Sequence, residues 1–103
     1  MIQTVSRKRI EILVDTPLVP RVVAQLKAAD ISGWSVIHVD SGGGRAGEWQ
    51  HDDVTGASDK TIVLAIASEA KTSGLIEAIA PLLDSYGMLL TIGDVQVVRG
   101  ERF

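Results

Sequence analysis

The chain lacks cysteine altogether, and its aromatic residues are two tryptophans, one tyrosine and one phenylalanine among 103 residues. Without thiols, a disulfide framework, a zinc ribbon and a cysteine nucleophile are all excluded. The absence of cysteine also suits a reducing cytoplasm. The length fits one domain and leaves no room for a second core, since domains usually run to about 100–150 residues. We therefore predict a single domain over residues 1–103.

Positive charge and long apolar runs are also scarce. Ten Lys+Arg against thirteen Asp+Glu give a formal net charge of −3. Duplex nucleic acid requires a cluster of cations, so we expect no nucleic-acid partner and interpret the basic run at 7–9 as a solvated strand entry. No apolar stretch approaches the roughly 20 residues that span a bilayer, and Glu11 and Asp15 interrupt any secretory leader. These features predict a cytoplasmic protein.

The first half of the chain has the pattern of a strand, a helix and a second strand. Apolar and polar residues alternate over 9–15, which predicts a strand. Thr16 and Pro17 are typical of a helix start, with a capping hydroxyl and a first-turn proline, so the helix begins between Thr16 and Pro20. We expect Gly33 to end this helix at positive φ. A second strand is predicted over 34–39.

The second half repeats this order. A strand is predicted over 61–67, and a helix opens at Ser68, which Pro81 should kink or split. The last strand covers 88–98, with an interruption near Gly93. Two right-handed crossovers then give a ferredoxin-like α+β fold of order βαββαβ, with both helices on one face of a four-stranded antiparallel sheet.

One face of this sheet has no cover, although apolar residues point towards it. An exposed apolar face normally marks an association surface, so we predict a homo-oligomer. The candidate residues for this face are Leu13, Ile37, Val63 and Ala65.

The segment between the second and third strands is rich in glycine. Five of the ten glycines lie at 42, 43, 44, 47 and 56. Loops of this length are usually functional or disordered, and the composition favours flexibility over about 41–60. The run 42–47 is either a hinge or an anion cradle, in which backbone N–H groups and Arg45 hold a phosphate. Trp49 is a candidate anchor for a partner.

The sequence contains little that indicates a catalytic site or a metal site. Glu48 and the run 51–53 carry metal-ligand types, but contiguous residues on a loop seldom close a site, so we expect neither a metal nor a cofactor. No catalytic triad can be assembled from two histidines without a nucleophile elbow. His38 is interpreted as a surface or interface residue, and Asp15 as a helix-entry acid or a site residue.

Several stretches together resemble the PII signalling proteins. Residues 33–39, leading into the glycine run and Arg45-Ala46-Gly47, are similar to the second strand and T-loop base of that family. Tyr86-Gly87-Met88 and the ending at 99–103 extend the resemblance to nearly the whole chain. It is closest to the branch linked to inorganic carbon, which includes the carboxysome-associated PII-like protein and the partner of a cyanobacterial bicarbonate transporter. The resemblance implies a homotrimer with its sheets packed inward and adenine-nucleotide sites in clefts between subunits.

The resemblance also assigns individual residues to ligands. Arg45 would reach the phosphates, the B-loop backbone at 87–89 would line the nucleotide, and the two C-terminal arginines would come from the neighbouring subunit. Met88 on its own is interpreted as a packing residue. Gly44, Arg45 and Gly47 would hold bicarbonate. The implied nucleotide-binding residues are Ser35, Ser41, Gly42, Gly43, Gly44, Arg45, Gly87, Met88, Leu89, Arg99 and Arg102.

Three departures from the nitrogen-sensing members limit what the resemblance implies. Ala46 stands where those members use a glutamine to hold 2-oxoglutarate with Mg-ATP. Tyr86 is the only tyrosine and lies outside the T-loop, so uridylylation is excluded. Residues 88–90 lack the lysine that grips distal phosphates. We therefore expect ADP or AMP as the ligand, with cyclic AMP as a further candidate.

The expected function is that of a non-enzymatic sensor of nucleotide and bicarbonate. It would regulate inorganic-carbon uptake or fixation through the conformation of the T-loop, which would contact a bicarbonate transporter or a carboxysome component. The protein would then be carboxysome-associated or recruited to a membrane transporter. Two alternatives are a small ferredoxin-like enzyme that hydrolyses nucleotides or acylphosphates, and an assembly module without a ligand.

Overall fold

The computed structural model of the chain describes residues 3–44, 47–50 and 59–98. Within these ranges the first strand is followed by one turn of 3-10 helix at Thr16–Leu18. None of the described helices is long and apolar enough to cross a membrane. The strands and α-helices, in chain order, are β1 (Thr4–Asp15), α1 (Val19–Ala28), β2 (Trp34–Val39), β3 (Ser41–Gly44), β4 (Gly47–Gln50), β5 (Lys60–Ala67), α2 (Glu69–Tyr86) and β6 (Leu89–Val98).

Four of the strands form one antiparallel sheet in the order β2-β5-β1-β6. Both helices contribute to a single core on one side of this sheet, which confirms the ferredoxin-like α+β fold. The core is built from alternate residues of the two central strands and from one stripe of each helix. Its fully buried aliphatic side chains are Ile10, Ile12, Val14, Val22, Leu26, Val63, Leu75 and Ile79.

Neither of the described helices covers the other side of the sheet, which we call the open face. Leu13 and Ile37 lie on this face as predicted, because both pair with Ile62 across the sheet. Val63 and Ala65 were placed there wrongly, since both are buried against the helices. When every residue of a strand is apolar, the sequence does not show which residues face the helices. The pairing register with β1 determines this. The apolar residues of the open face are Val5, Leu13, Ile37, Val39, Ile62, Leu64, Ile66, Leu89, Val95 and Val97.

The first helix begins and ends differently in detail from the prediction. The helical segment starts at Thr16, within the predicted range, but the Thr16 side chain caps no helix N–H. Its hydroxyl instead lies 2.8 Å from the hydroxyl of Thr61. Among the described residues after the helix, Asp30 has positive φ, at 61°, and Gly33 does not. A short polar side chain tolerates this left-handed conformation, so a glycine is not required.

The second helix begins as predicted, with the Ser68 hydroxyl oxygen accepting the Lys71 N–H at 3.2 Å. It then runs unbroken to Tyr86, so the predicted split at Pro81 is wrong. Pro81 and Glu77 are both exposed, and the carbonyl that loses its N–H partner can therefore reach water. The predicted interruption of the last strand is also absent, since β6 pairs with β1 along its whole length.

Replacing Ser68 with alanine is expected to lower the free energy of unfolding by about 1 kcal/mol, because the helix loses its capping oxygen. Urea denaturation at one fixed protein concentration measures this loss. Ser73→Ala is the matched control, since Ser73 is exposed inside the same helix and alanine is favoured there. Equal losses for the two variants would contradict a capping role for Ser68.

Candidate functional site

One end of the sheet collects most of the segments that the sequence analysis assigned to a ligand. Val39 at the end of β2 pairs with Lys60 at the start of β5, and Lys60 pairs with Asp15 at the end of β1. Leu89, the first residue of β6, pairs with Leu13 two residues inside that end. We call this edge of the sheet the loop end, because the T-loop segment (41–60) and the B-loop (87–89) both meet it.

The two segments reach the loop end on opposite sides. The T-loop follows β2 and the B-loop precedes β6, and these are the two edge strands. With β5 and β1 between them, the edge strands are three strand spacings apart, or about 14 Å. Within one copy of the chain the two segments therefore meet the sheet at its two opposite edges.

The start of the T-loop segment is a β-hairpin, which the sequence analysis did not predict. Ser41 to Gly44 pair with Gly47 to Gln50 in a separate two-stranded sheet. Of these glycines, only Gly47 has positive φ, at 112°. A run of glycines has no alternation of apolar and polar side chains, so the sequence gives no indication of a strand. Because a ladder uses only alternate N–H groups, the remaining N–H groups of β3 point away from β4 and face outward.

The B-loop is shaped by the end of α2. Gly87 adopts the left-handed conformation, with φ 64°, and its N–H donates to the Leu83 carbonyl. The Met88 N–H donates to the same oxygen at 3.1 Å, and the Met88 side chain is buried in the core. Both N–H groups therefore serve the helix cap. Contacts to a ligand from this segment would have to come from carbonyl oxygens and from Leu89, whose side chain is 56% exposed.

The point where the chain re-enters the sheet after the T-loop is held by a cluster of polar contacts. The Lys60 ammonium forms an ion pair with Asp15. The Thr16 N–H donates to the Asp59 carbonyl at 3.0 Å, beside the hydroxyl contact between Thr16 and Thr61. Asp15 was interpreted from the sequence as a helix-entry acid or a site residue. Lys60 and Thr61 were missed, and only the opposite charges at neighbouring strand ends could have indicated them.

Ser35 lies apart from the loop end. It pairs with Leu64 on β5, which places it on the open face near the start of β2, and it is exposed. The loop end of the same chain lies at the other end of this strand. The serine lies on the surface on which association was predicted.

An exposed arginine stands beside the B-loop and was not predicted. The Arg21 guanidinium lies 5.1 Å from the centre of the Tyr86 ring, next to Gly87. Among the described residues Arg21 forms no ion pair, so its charge is balanced by no carboxylate there. A matching pair, Lys27 over the Trp34 ring at 5.6 Å, lies at the opposite end of the sheet.

Several predicted site residues lie outside the described ranges. These are Arg45, Arg99 and Arg102, together with Ala46 and the run 51–53. Among the residues that the structure does describe, no three His, Asp or Glu side chains come together in a way that could hold a metal ion. At the other end of the sheet from the loop end, a shallow cavity of about 310 Å³ opens between Lys27 and Trp34 and contains none of the predicted residues.

Sequence and structure comparisons both find relatives of one kind. The sequence profile of the family described as nitrogen regulatory protein P-II matches residues 7–102 of the chain. Among curated proteins none matches significantly.

Three solved structures show the range of the structural similarity. CPII, a nitrogen regulatory PII-like protein from Thiomonas intermedia K12, solved with ADP, AMP and bicarbonate, is 20% identical and covers 94% of this chain and 92% of its own, with a TM-score of 0.85. A PII-like signalling protein from Thermus thermophilus is 20% identical over 98% of both chains, with a TM-score of 0.83. The B. subtilis GlnK–ATP complex is 10% identical over 87% of this chain and 82% of its own, with a TM-score of 0.64.

Proposed function

The chain belongs to the P-II family of nitrogen regulatory proteins, and from that premise we propose that it is a non-enzymatic sensor of adenine nucleotide and bicarbonate. The ligands would bind in clefts between copies of the chain. One observation carries this proposal: the two segments assigned to the nucleotide lie at the same end of the sheet but on opposite edges. Each copy would then contribute one segment to a binding site, and a neighbouring copy would contribute the other segment.

The open face supplies the surface on which copies would associate. One row across all four strands consists of Ile37, Ile62, Leu13 and Leu89. Ile37 and Leu89 at its two ends are 45% and 56% exposed. An apolar row of this length facing solvent favours burial against another copy. We propose a homotrimer with the open faces turned inward, as the family resemblance implies.

The proposed ligand class follows from the absence of charged side chains at residues 88–90. Met88 is buried, and Leu89 and Leu90 carry no charge that would hold a distal phosphate. Short nucleotides such as ADP and AMP are therefore preferred over Mg-ATP. The CPII structure solved with ADP, AMP and bicarbonate supports the same ligand set. Bicarbonate would sit beside the phosphate, against Arg45 and the outward N–H groups of β3.

The output of the sensor would be the shape of the T-loop. Ligands that bind at its base would change the surface it presents, which is a common switching device. The proposed target is a bicarbonate transporter or a carboxysome component, so the protein would be recruited to one of these within the cytoplasm. Regulation of inorganic-carbon uptake or fixation would follow from that contact.

Calorimetric titration with ATP, ADP, AMP and cyclic AMP, each with and without bicarbonate, tests the proposal. We expect ADP and AMP to bind most tightly and bicarbonate to strengthen that binding. Arg45→Ala should weaken ADP binding about tenfold or more, because a charge-assisted hydrogen bond to phosphate is lost. Lys71→Ala, an exposed cation on α2, is the control and should bind as the wild type does. Failure to bind any of the four nucleotides, or steady release of phosphate from ATP, would refute the proposal.

A further inference from the structure

An ion pair lies in the middle of the open face. The guanidinium of Arg9 and the carboxylate of Glu11 are 2.8 Å apart, from Nη2 to Oε1, and their side chains are 50% and 39% exposed. Both residues belong to β1, one of the two central strands, and both share a face with Leu13. A charged pair in the centre of an apolar surface is costly to bury unless its hydrogen bonds are kept.

The cross-strand neighbours of this pair carry no charge, and the charged residue next to it on the same face is Arg7, two residues earlier on β1. Arg9 lies between Ile66 and Gly93. In the next row, Glu11 lies between Leu64 and Thr91. A second copy that covers the open face would remove both charges from water. The charged residue that β5 presents on this face, Lys60, already forms an ion pair with Asp15 of its own chain, so β1 of the other copy is the candidate source of partners.

Gly93 adds an independent observation. It pairs directly with Arg9, and a Cβ built on it would meet nothing within 4 Å. Neither packing within the chain nor a positive φ requires glycine at this position. A glycine inside a strand often marks a place where another backbone or side chain approaches closely. The missing side chain leaves an open space on β6 opposite Arg9 in the strand pairing.

We propose that Arg9 of one copy pairs with Glu11 of the next and that this exchange sets the register in which copies associate. The inference rests on the proposed association through the open face and goes beyond it by naming the residues that orient the copies. Opposite charges two residues apart on one strand are self-complementary, so a cyclic arrangement can place the Glu11 of a neighbouring copy beside each Arg9. A shifted arrangement would bring like charges together, which disfavours it.

Charge reversal followed by mixing tests this proposal. R9E and E11R each leave two like charges at the centre of the open face, so each variant alone should raise the concentration for half-association by about 100-fold or more. In a ring of three copies an equimolar mixture of R9E and E11R restores opposite charges at two of the three contacts, so association should recover in part, whereas the double variant R9E/E11R restores all three. Sedimentation velocity and multi-angle light scattering give the masses, and circular dichroism checks that each variant is folded.

The controls separate this inference from the association itself. K71E and E77R make similar changes of charge on exposed positions of α2 and should assemble as the wild type does. The double variant R9E/E11R keeps one charge of each sign and should also assemble, even if a single variant fails to fold. Single variants that assemble normally, or a folded double variant that stays dissociated, would overturn the inference. A wild type that is monomeric would instead refute the proposed association.

Gly93→Val is a second test of whether a neighbouring copy approaches β1 and β6 at this position. Valine suits a strand, and a Cβ at this position has no atom of the described chain within 4 Å, so the fold should be kept. Its side chain would fill the space beside Arg9 and should raise the concentration for half-association by about tenfold or more. Unchanged assembly of this variant would show that no neighbouring copy approaches Gly93.

Discussion

Replacement of Ile12 with alanine is expected to lower the free energy of unfolding by about 4 kcal/mol, within the range measured for buried isoleucine truncations. Ile12 is fully buried at the centre of β1. It pairs with Val63 on one side and Leu90 on the other, and the helices cover it. The truncation therefore leaves a cavity among elements that are fixed by two strand ladders. Urea denaturation monitored by circular dichroism, at one protein concentration, gives the difference.

Ile37→Ala is the matched control for this prediction. The same three carbon atoms are removed, but Ile37 lies on an edge strand and is 45% exposed. We expect a loss below about 1 kcal/mol for the isolated chain, because little apolar area leaves the folded interior. Measurements at several protein concentrations separate chain stability from association, since stability gained from association depends on concentration. Equal losses at high dilution would contradict the assignment of the core to the helix side.

The second large effect is expected from Ile62→Glu. Ile62 lies between Ile37 and Leu13 in the apolar row of the open face. A carboxylate there remains solvated in a single chain, but it would be buried without a partner when copies associate. We expect the variant to be folded and monomeric at micromolar concentration. Because the proposed site needs two copies, nucleotide binding should fall with assembly, by at least about 100-fold.

Light scattering and calorimetry on the same sample connect these two outcomes. Ile76→Glu is the control, because it places the same charge on the outer surface of α2, where the isoleucine is already 36% exposed. This control should stay assembled and should bind nucleotide. A monomeric Ile62→Glu variant that binds ADP as tightly as the wild type would place the site within one chain, and the half-site argument would fail.

The order of the elements could be predicted from the sequence because local signals agree with the fold. Alternation over 9–15 and the helix start at Ser68 each mark one element without long-range information. The errors have a common origin. Contacts between distant segments determine which face of the sheet Val63 occupies. They also determine whether Asp30 or Gly33 adopts the left-handed conformation after the first helix. Pro81 failed as a helix breaker because solvent satisfies the carbonyl that it leaves without a partner.

The candidate site was harder to predict than the fold. The sequence shows the T-loop and B-loop as separate segments, and only the strand order reveals that they lie on opposite edges. Lys60 forms its ion pair with a residue 45 positions earlier in the chain, so no local pattern announces it. The hairpin at 41–50 is invisible for a different reason, since a glycine run has no side-chain periodicity. Arg21 was overlooked because an isolated exposed arginine carries no motif.

The edge placement of the two ligand segments has a consequence for stoichiometry. If each copy contributes its β2 edge to one cleft and its β6 edge to another, the number of complete clefts equals the number of copies only when the arrangement closes into a ring. A linear pair would complete one cleft and leave two halves unused. A ligand that bridges both halves therefore favours ring closure by mass action. Titration should accordingly saturate at one nucleotide per chain, and ligand-free protein should dissociate on dilution before ligand-saturated protein does.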